Sequence, residues 1–263
     1  MNRIDIIQNQ VKWECQDSAL QIETITPTSS FEILQIKCKV KQSTNLEIHH
    51  EGEDESKIHI VFEIAKNVSF QILEICKNQK RKVQYEYQLD AYSEVNVTKF
   101  YDCNQVKELD LVKLNGAYAT IHHHLKTIAK SGQRMDLVIY HNAPHTTSEI
   151  VNHGVSIEEG SIDFQVTSIV YQGIKDCILN QNNRIITMNQ HKCNIEPILL
   201  IEENDVTANH SAYIGTFHEQ DLFYLMSRGI PKNKALQLLI KGFLLASVPS
   251  TDSISKIIEQ YWR

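Results

Sequence analysis

Glycine and proline are scarce in this chain: nine and five of 263 residues. No GxGxxG and no GxxxxGK[ST] occurs, so both common loops that cradle phosphates on backbone amides are missing. Positive charge is also short. Lysine and arginine number 26 against 32 aspartates and glutamates, a formal net charge of −6. That balance argues against a nucleic-acid groove or an anionic-membrane surface, which need dense Lys/Arg. No uninterrupted apolar run approaches the ~18–20 residues that span a bilayer. The start, with Asp5 interrupting Ile4, Ile6 and Ile7, carries no signal-peptide core, so a cytoplasmic chain is expected. The six cysteines (Cys15, Cys38, Cys76, Cys103, Cys177, Cys193) have no CxxC spacing and read as reduced, mostly buried thiols. No Gly-x-Ser-x-Gly elbow appears.

What is abundant is isoleucine, 33 residues, a β-branched side chain suited to a pleated, half-buried surface. From about residue 20 to 216 the hydrophobic pattern has period two. Leu34, Ile36, Cys38 and Val40 alternate with polar residues, as do Ile58, Ile60, Phe62 and Ile64. Tyr85, Tyr87 and Leu89 follow, then Met135, Leu137 and Ile139, and finally Val206, Ala208, His210, Ala212 and Ile214. Such alternation puts one set of side chains on one sheet face. Polar breaks fall at 52–56, 180–183 and 202–205. So long a run of short strands predicts a coiled stack, each turn burying its inner face on the next, although no clean repeat length is visible.

Near residue 216 the pattern turns helical. Thr216 and Glu219 have capping-box spacing, and Leu222, Phe223, Leu225 and Met226 follow at helical intervals. Gly229 is placed to end that helix in a left-handed conformation, and Pro231 fits the first turn of the next. The second helix carries Ala235, Leu236, Leu238, Leu239, Ile240, Phe243 and Leu244. Pro249 and Ser250 break it before a short last helix with Ile254, Ile257, Ile258 and Tyr261. The expectation is a β domain over 1–216 and a helical segment over 217–263. Apolar on more than one face, the second helix must bury against the body or a partner.

Several residues invite chemistry. His122, His123, His124, His141, His145 and His153 fall within 32 positions, enough imidazole for a metal site. A β-solenoid metalloenzyme using His122, His124, His141 or His145 is therefore one reading; hydrogen-bonded strand histidines are the other. His210 lies at an apolar parity, either as a satisfied core histidine or as a ligand where strands end. Cys193 beside Lys192 and His191 is either an activated thiol or a half-buried inert one. Glu158-Glu159 and Glu202-Glu203 point to opposite faces within each pair, so neither flanks one glycosidic bond; they read as solvated turns.

The second half resembles the SufB/SufD family, scaffold subunits of the SUF iron–sulfur cluster assembly system. The motifs are Leu114-Asn-Gly-Ala-Tyr118, His141-Asn-Ala-Pro-His-Thr-Thr-Ser148, Asn182-Asn-Arg184 and Pro197-Ile-Leu-Leu-Ile201 with Asn204-Asp-Val206. Ala208-Asn-His-Ser-Ala212 with Gly215 follows, then Leu222-Phe-Tyr-Leu-Met-Ser-Arg-Gly-Ile230, continuing to Gly242-Phe243. Specific motifs cover about 105–247; residues 20–104 match in strand character alone. The chain looks more like SufD: it keeps the histidine, as His210, of that subunit's Cys-Ser-His-Gly-Ala run, with Ala208 and Ser211 replacing cysteine and glycine. SufB members carry acids at 209 and 211 and a cysteine that aligns with His191, two residues before Cys193. The N-terminal helical region usual in the family is largely missing.

The resemblance implies a right-handed parallel β-helix with a C-terminal helical segment, and no enzymatic activity of its own. It implies pairing with a SufB-like subunit through the β-helix. It also implies docking of the SufC ATPase through helices bearing Leu222, Phe223, Tyr224, Arg228, Gly229, Leu236, Leu239 and Phe243. His210 would be the ligand of a transient iron–sulfur cluster at the subunit junction, with Cys193 and His191 as weaker candidates. No tightly bound cofactor is expected of the chain alone; a homodimer in isolation is allowed, and a homodimeric β-helix protein without a cluster role, which the change to Ala208 admits, is the further alternative.

Overall fold

The computed structural model describes residues 2–7, 10–15, 18–25, 33–52, 55–77 and 80–246. In chain order the strands are β1 Asn2–Ile7, β2 Gln10–Glu14, β3 Leu20–Ile25, β4 Leu34–Val40, β5 Thr44–Glu51, β6 Ser56–Ile64, β7 Ser69–Lys77 and β8 Lys80–Leu89. Then come β9 Glu94–Asp102, β10 Gln105–Leu114, β11 Thr120–Ala129, β12 Gly132–His141, β13 Thr147–Ser156, β14 Ser161–Val170, β15 Cys177–Thr187, β16 Asn194–Ile201 and β17 Val206–Gly215. Helices α1 Glu219–Ser227 and α2 Lys232–Leu245 follow. Even-numbered strands from β4 to β16 form one parallel ladder and odd-numbered strands from β5 to β17 the other. The result is a parallel β-solenoid of about seven turns, two strands to a turn, as the alternation predicted. At the first turn β2 and β3 close the two sheets antiparallel, against β1 and β4.

The repeat is real but lengthens along the chain. Aligned residues Leu34, Ile58, Val83, Glu108, Met135, Phe164 and Ile195 are 24, 25, 25, 27, 29 and 31 residues apart. The strands hold register while the corners grow, which hides the period from a fixed-length comparison.

Each turn buries one parity. Ile36, Cys38, Ile60, Phe62, Tyr85, Tyr87, Leu137 and Ile139 are all buried in one interior. Rings continue the packing between turns, with Phe62 and Tyr87 stacked at 5.3 Å. One corner is built the same way five times. Asn67, Tyr92, Tyr118, His145 and Asp176 all have left-handed backbones, φ between 57° and 63°. Each donates its amide to a carbonyl of the next turn: Ala91, Ala117, Pro144, Lys175 and Asp205. Tyrosine is an unfavourable residue for that conformation. Ring stacking offsets the strain: Tyr92 lies on Tyr118 at 4.9 Å, and Tyr118 on His145 at 4.6 Å. Gly116 sits at this corner because a Cβ there would lie 1.9 Å from the Ala91 amide nitrogen.

Four expectations are corrected. The segment 180–183 is no break; it lies within β15. Its asparagines form ladders across turns, Asn152 to Asn183 at 2.8 Å, Asn209 to Asn180 at 3.1 Å and Ser211 to Asn182 at 3.2 Å. The capping box at Thr216 does not form: α1 starts two residues later, with His218 at the N-cap and no side-chain cap bond. Pro231 is the N-cap of α2 and not its first residue. Gly229 does adopt the expected left-handed conformation, φ 83°. Strands also begin earlier than residue 20, at Asn2. The helix expected around Ile254–Tyr261 lies outside the described residues.

Candidate functional site

The solenoid is open where β16 and β17 end it. Among the described residues β17 pairs with β15 alone and β16 with β14 alone, so both present a free parallel edge there. His210 keeps the inward parity predicted for it: it continues the aligned column His123, Ile150, Gln181. It is nevertheless exposed, because among the described residues no further turn covers it. The core-histidine reading is therefore wrong in burial though right in parity. Among the described residues the His210 side chain makes no hydrogen bond. Below it Gln181 is buried, donating to Ser168 Oγ at 2.9 Å, while its Oε1 has no partner. Neighbouring Tyr213, Ile214 and Leu200 are exposed apolar side chains on the same free edges.

Cys193 and His191 are not brought to His210 by any hydrogen bond or ion pair among the described residues. Both lie in the loop before β16, not on a strand. Cys193 is buried, packed in a cluster with Ile185, Ile162 and Phe164. His191 is exposed and faces Glu159 at 3.6 Å.

The helices divide in two. In α1 no residue is buried; Phe223 is 73 % exposed and Tyr224 57 %, with the Arg228 guanidinium over the Tyr224 ring at 5.3 Å. Gly229 is exposed too, and Leu222, Leu236 and Leu239 are half-buried. Helix α2 buries Ala235, Ile240 and Leu244, the last two in a cluster with Ile75, Phe100, Ile128, Val155 and Ile186, the outer face of the odd-strand sheet. Phe243 belongs to this inward contact. Its ring stacks on His153 at 4.5 Å and its carbonyl receives the His153 Nδ1 contact at 2.9 Å. Beside them Lys126 is fully buried, 3.1 Å from His153 and, among the described residues, without a carboxylate partner. Burial pushes its ammonium down to about 7.

The clustered histidines go to separate places. His122, on the outer face, meets Glu149 at 2.8 Å. His124 shares that face. His123 points inward to Asp110 at 2.8 Å. His141 is buried between Thr146 Oγ1 at 2.8 Å and Ser148 Oγ at 3.0 Å, bracing the corner. His145 sits in the ring stack. Among the described residues no group of three or more His, Cys, Asp or Glu side chains could hold a metal ion.

A chain of charges runs inside the solenoid, at positions to which the sequence reading assigns no role. Glu74, Arg81, Lys99, Glu108 and Asp110 are all buried. Arg81 bridges Glu74 and Glu108 at 2.8 Å each, and Lys99 joins Glu108 at 2.8 Å to Asp110 at 2.5 Å. Tyr85 donates to Glu74 and Tyr101 to Glu108. Although burial opposes it, the neighbouring cations hold the Glu74 and Asp110 carboxyls below their ordinary values; burial prevails at Glu108 and raises it. The signal in the sequence was charge at the inward parity. Lys99 stands between Val97 and Tyr101, and Glu108 and Asp110 between Val106 and Val112.

Residues 28–243 match the family model described as the SUF system FeS cluster assembly, SufBD core domain. The chain belongs to the SufBD family of iron–sulfur cluster assembly proteins. Similar relatives include the iron–sulfur cluster assembly protein SufD of Bacillus subtilis, 37 % identical over 107 residues, 40 % of this chain and 24 % of that protein. SufB of the same organism is 30 % identical over 122 residues, 44 % of this chain and 26 % of that protein. A SufBD family protein of Mycobacterium bovis is 29 % identical over 132 residues, 50 % of this chain and 15 % of that protein. Each alignment spans about a quarter or less of the relative. Within the SufBD frame, two of the motifs are now explained as corners. Asn115 accepts from Asn142 at 2.8 Å, and the Ala117 and Pro144 carbonyls receive the amides of the preceding turn. No helix among the described residues is long and apolar enough to cross a membrane.

Proposed function

We propose that this SufBD-family chain is a non-catalytic, SufD-like scaffold subunit of the SUF machinery in the cytoplasm. It pairs with a SufB-like subunit through its open solenoid end and carries the SufC ATPase on its C-terminal helices. The observation that carries the reading is His210, an imidazole without a partner on a free edge strand of a parallel solenoid. A second solenoid laid on that edge would satisfy its amides and carbonyls and cover Ile214 and Leu200. There His210 would ligate a transient iron–sulfur cluster, which is cargo, with no cofactor held tightly by the chain alone. Exposed Phe223 and Tyr224 on α1 suit a partner better than Phe243, whose ring is engaged with His153. Hydrolysis of ATP by the partner would act on the junction only through contacts that differ between two states. In isolation the same edge admits a homodimer.

The test is co-expression with SufB-like and SufC-like subunits, followed by affinity purification and iron and sulfide analysis. A three-component complex is expected. His210→Ala should leave assembly intact and lower the cluster content severalfold. Unchanged cluster content in that variant would remove His210 from the site, and failure of the wild-type chain to bind either subunit would overturn the scaffold reading.

A further inference from the structure

We infer that Cys76 and Cys103 are a redox-active dithiol that closes to a disulfide between two successive turns of the solenoid. This is independent of the assembly role. Strands β7 and β9 are neighbours, and Cys76 is aligned with Tyr101. Cys103 follows β9 directly, so the two thiols meet on the diagonal at one corner. Their sulfurs stand 2.6 Å apart, inside non-bonded contact, and both residues are buried. Neighbouring turns are held by the β7–β9 ladder, so the fold itself brings the two sulfurs together.

Arg81 lies within electrostatic reach of Cys76, and its guanidinium covers the Tyr101 ring at 4.3 Å. The carbonyl of Cys103 is held by Gln133 at 2.9 Å. Gln133, Arg81 and Val106 line a surface cavity of about 430 Å³, and Val106 packs in the same cluster as both cysteines. The pair itself is buried behind those lining side chains, so a small oxidant has to pass Val106 or Gln133 to meet it. The other described interior thiols differ. Cys177 contacts Thr146 Oγ1 at 3.3 Å, Cys193 packs on hydrocarbon, and burial pushes the Cys38 thiol up.

The oxidant is a peroxide. The Cys76 sulfur, the one beside Arg81, attacks as thiolate one oxygen of hydrogen peroxide; the O–O bond breaks, hydroxide leaves and takes up the thiol's proton as water, and a sulfenic acid remains. The Cys103 thiol then displaces a second water from that sulfur as the S–S bond forms. Two thiols and one hydrogen peroxide become one disulfide and two waters. Reduction by an external dithiol reverses the step through a mixed disulfide.

The test treats the reduced, native chain with hydrogen peroxide, caps free thiols with iodoacetamide, and maps peptides by mass spectrometry. A cross-linked pair carrying Cys76 and Cys103, short of two hydrogens and split by dithiothreitol, is expected. The oxidised chain should also unfold at higher urea than the reduced one. Cys76→Ser and Cys103→Ser should each abolish both the cross-link and the urea shift. The inference fails if both residues are recovered as capped thiols after peroxide, or if one is driven to a sulfinic acid while the other stays free. The wild-type map alone decides this should either variant not fold.

Discussion

Lys99 concentrates the energetic question at the scale of one residue. Its ammonium is fully buried, with Glu108 and Asp110 at hydrogen-bond distance and the Tyr85 ring at 3.7 Å. Removing a buried ion's partner leaves charge without compensation, a loss of about 3–5 kcal/mol. Lys99→Ala should therefore destabilise the chain by about that amount, read as a fall in the urea midpoint at unchanged slope. A change below about 1 kcal/mol would mean that the carboxylates find water or protons instead. His210 is the opposite case. Exposed and without a hydrogen bond, it has little to do with stability, so its removal tests function cleanly.

At the scale of the element, the repeated corner is the unit. The strands of one turn differ in sequence from those of the next, but the left-handed position recurs from Asn67 to Asp176 with the same amide-to-carbonyl bond. Gly116 closes the tightest of these approaches. An alanine there must push its Cβ into the Ala91 backbone, which no rotamer relieves. Gly116→Ala should lower stability by about 2 kcal/mol or more and broaden hydrogen exchange at the amides of Tyr92 and Tyr118. Gly229→Ala is the contrasting change. Its left-handed φ is strained for alanine, but nothing lies within 4 Å of the added Cβ, so the effect stays local to the turn between α1 and α2.

Over the whole molecule, buried bases set the response to pH. Burial lowers His50, His124 and His141 to about 4 and His153 to about 3, against an ordinary 6.5. Between those values the unfolded chain binds protons that the folded chain refuses. Stability therefore falls as pH drops from about 6.5 towards about 4, and rises with pH across that window. The held-down carboxyls Glu74 and Asp110 add to the loss at the acid end. Lys126 extends the same sign upward, from about 7 to its ordinary 10.5. Urea midpoints measured from pH 4 to pH 8 should rise most steeply below 6.5; a flat profile would place these imidazoles in contact with solvent. His153 and Lys126 lie under α2, so acid should loosen that helix before the turns around His50.

Alternating side chains were enough to place the interior of most turns. Ile36 and Cys38, Ile60 and Phe62, and Tyr85 and Tyr87 are inward as their parity required, because successive side chains of a strand must point to opposite faces. The family was legible too, in corner motifs and in the run from Leu222 to Ile230. Parity alone could not tell which turn is last. His210 and Gln181 have the same inward register, yet one is exposed and the other buried, and the difference is whether another turn lies above. Nor could parity pair Glu74 with Arg81, or Cys76 with Cys103, since each contact joins neighbouring strands through a register that depends on corner length. Local chemistry fixes what each strand would hide. The stacking of turns, which is cooperative and long-range, decides what is hidden and from whom.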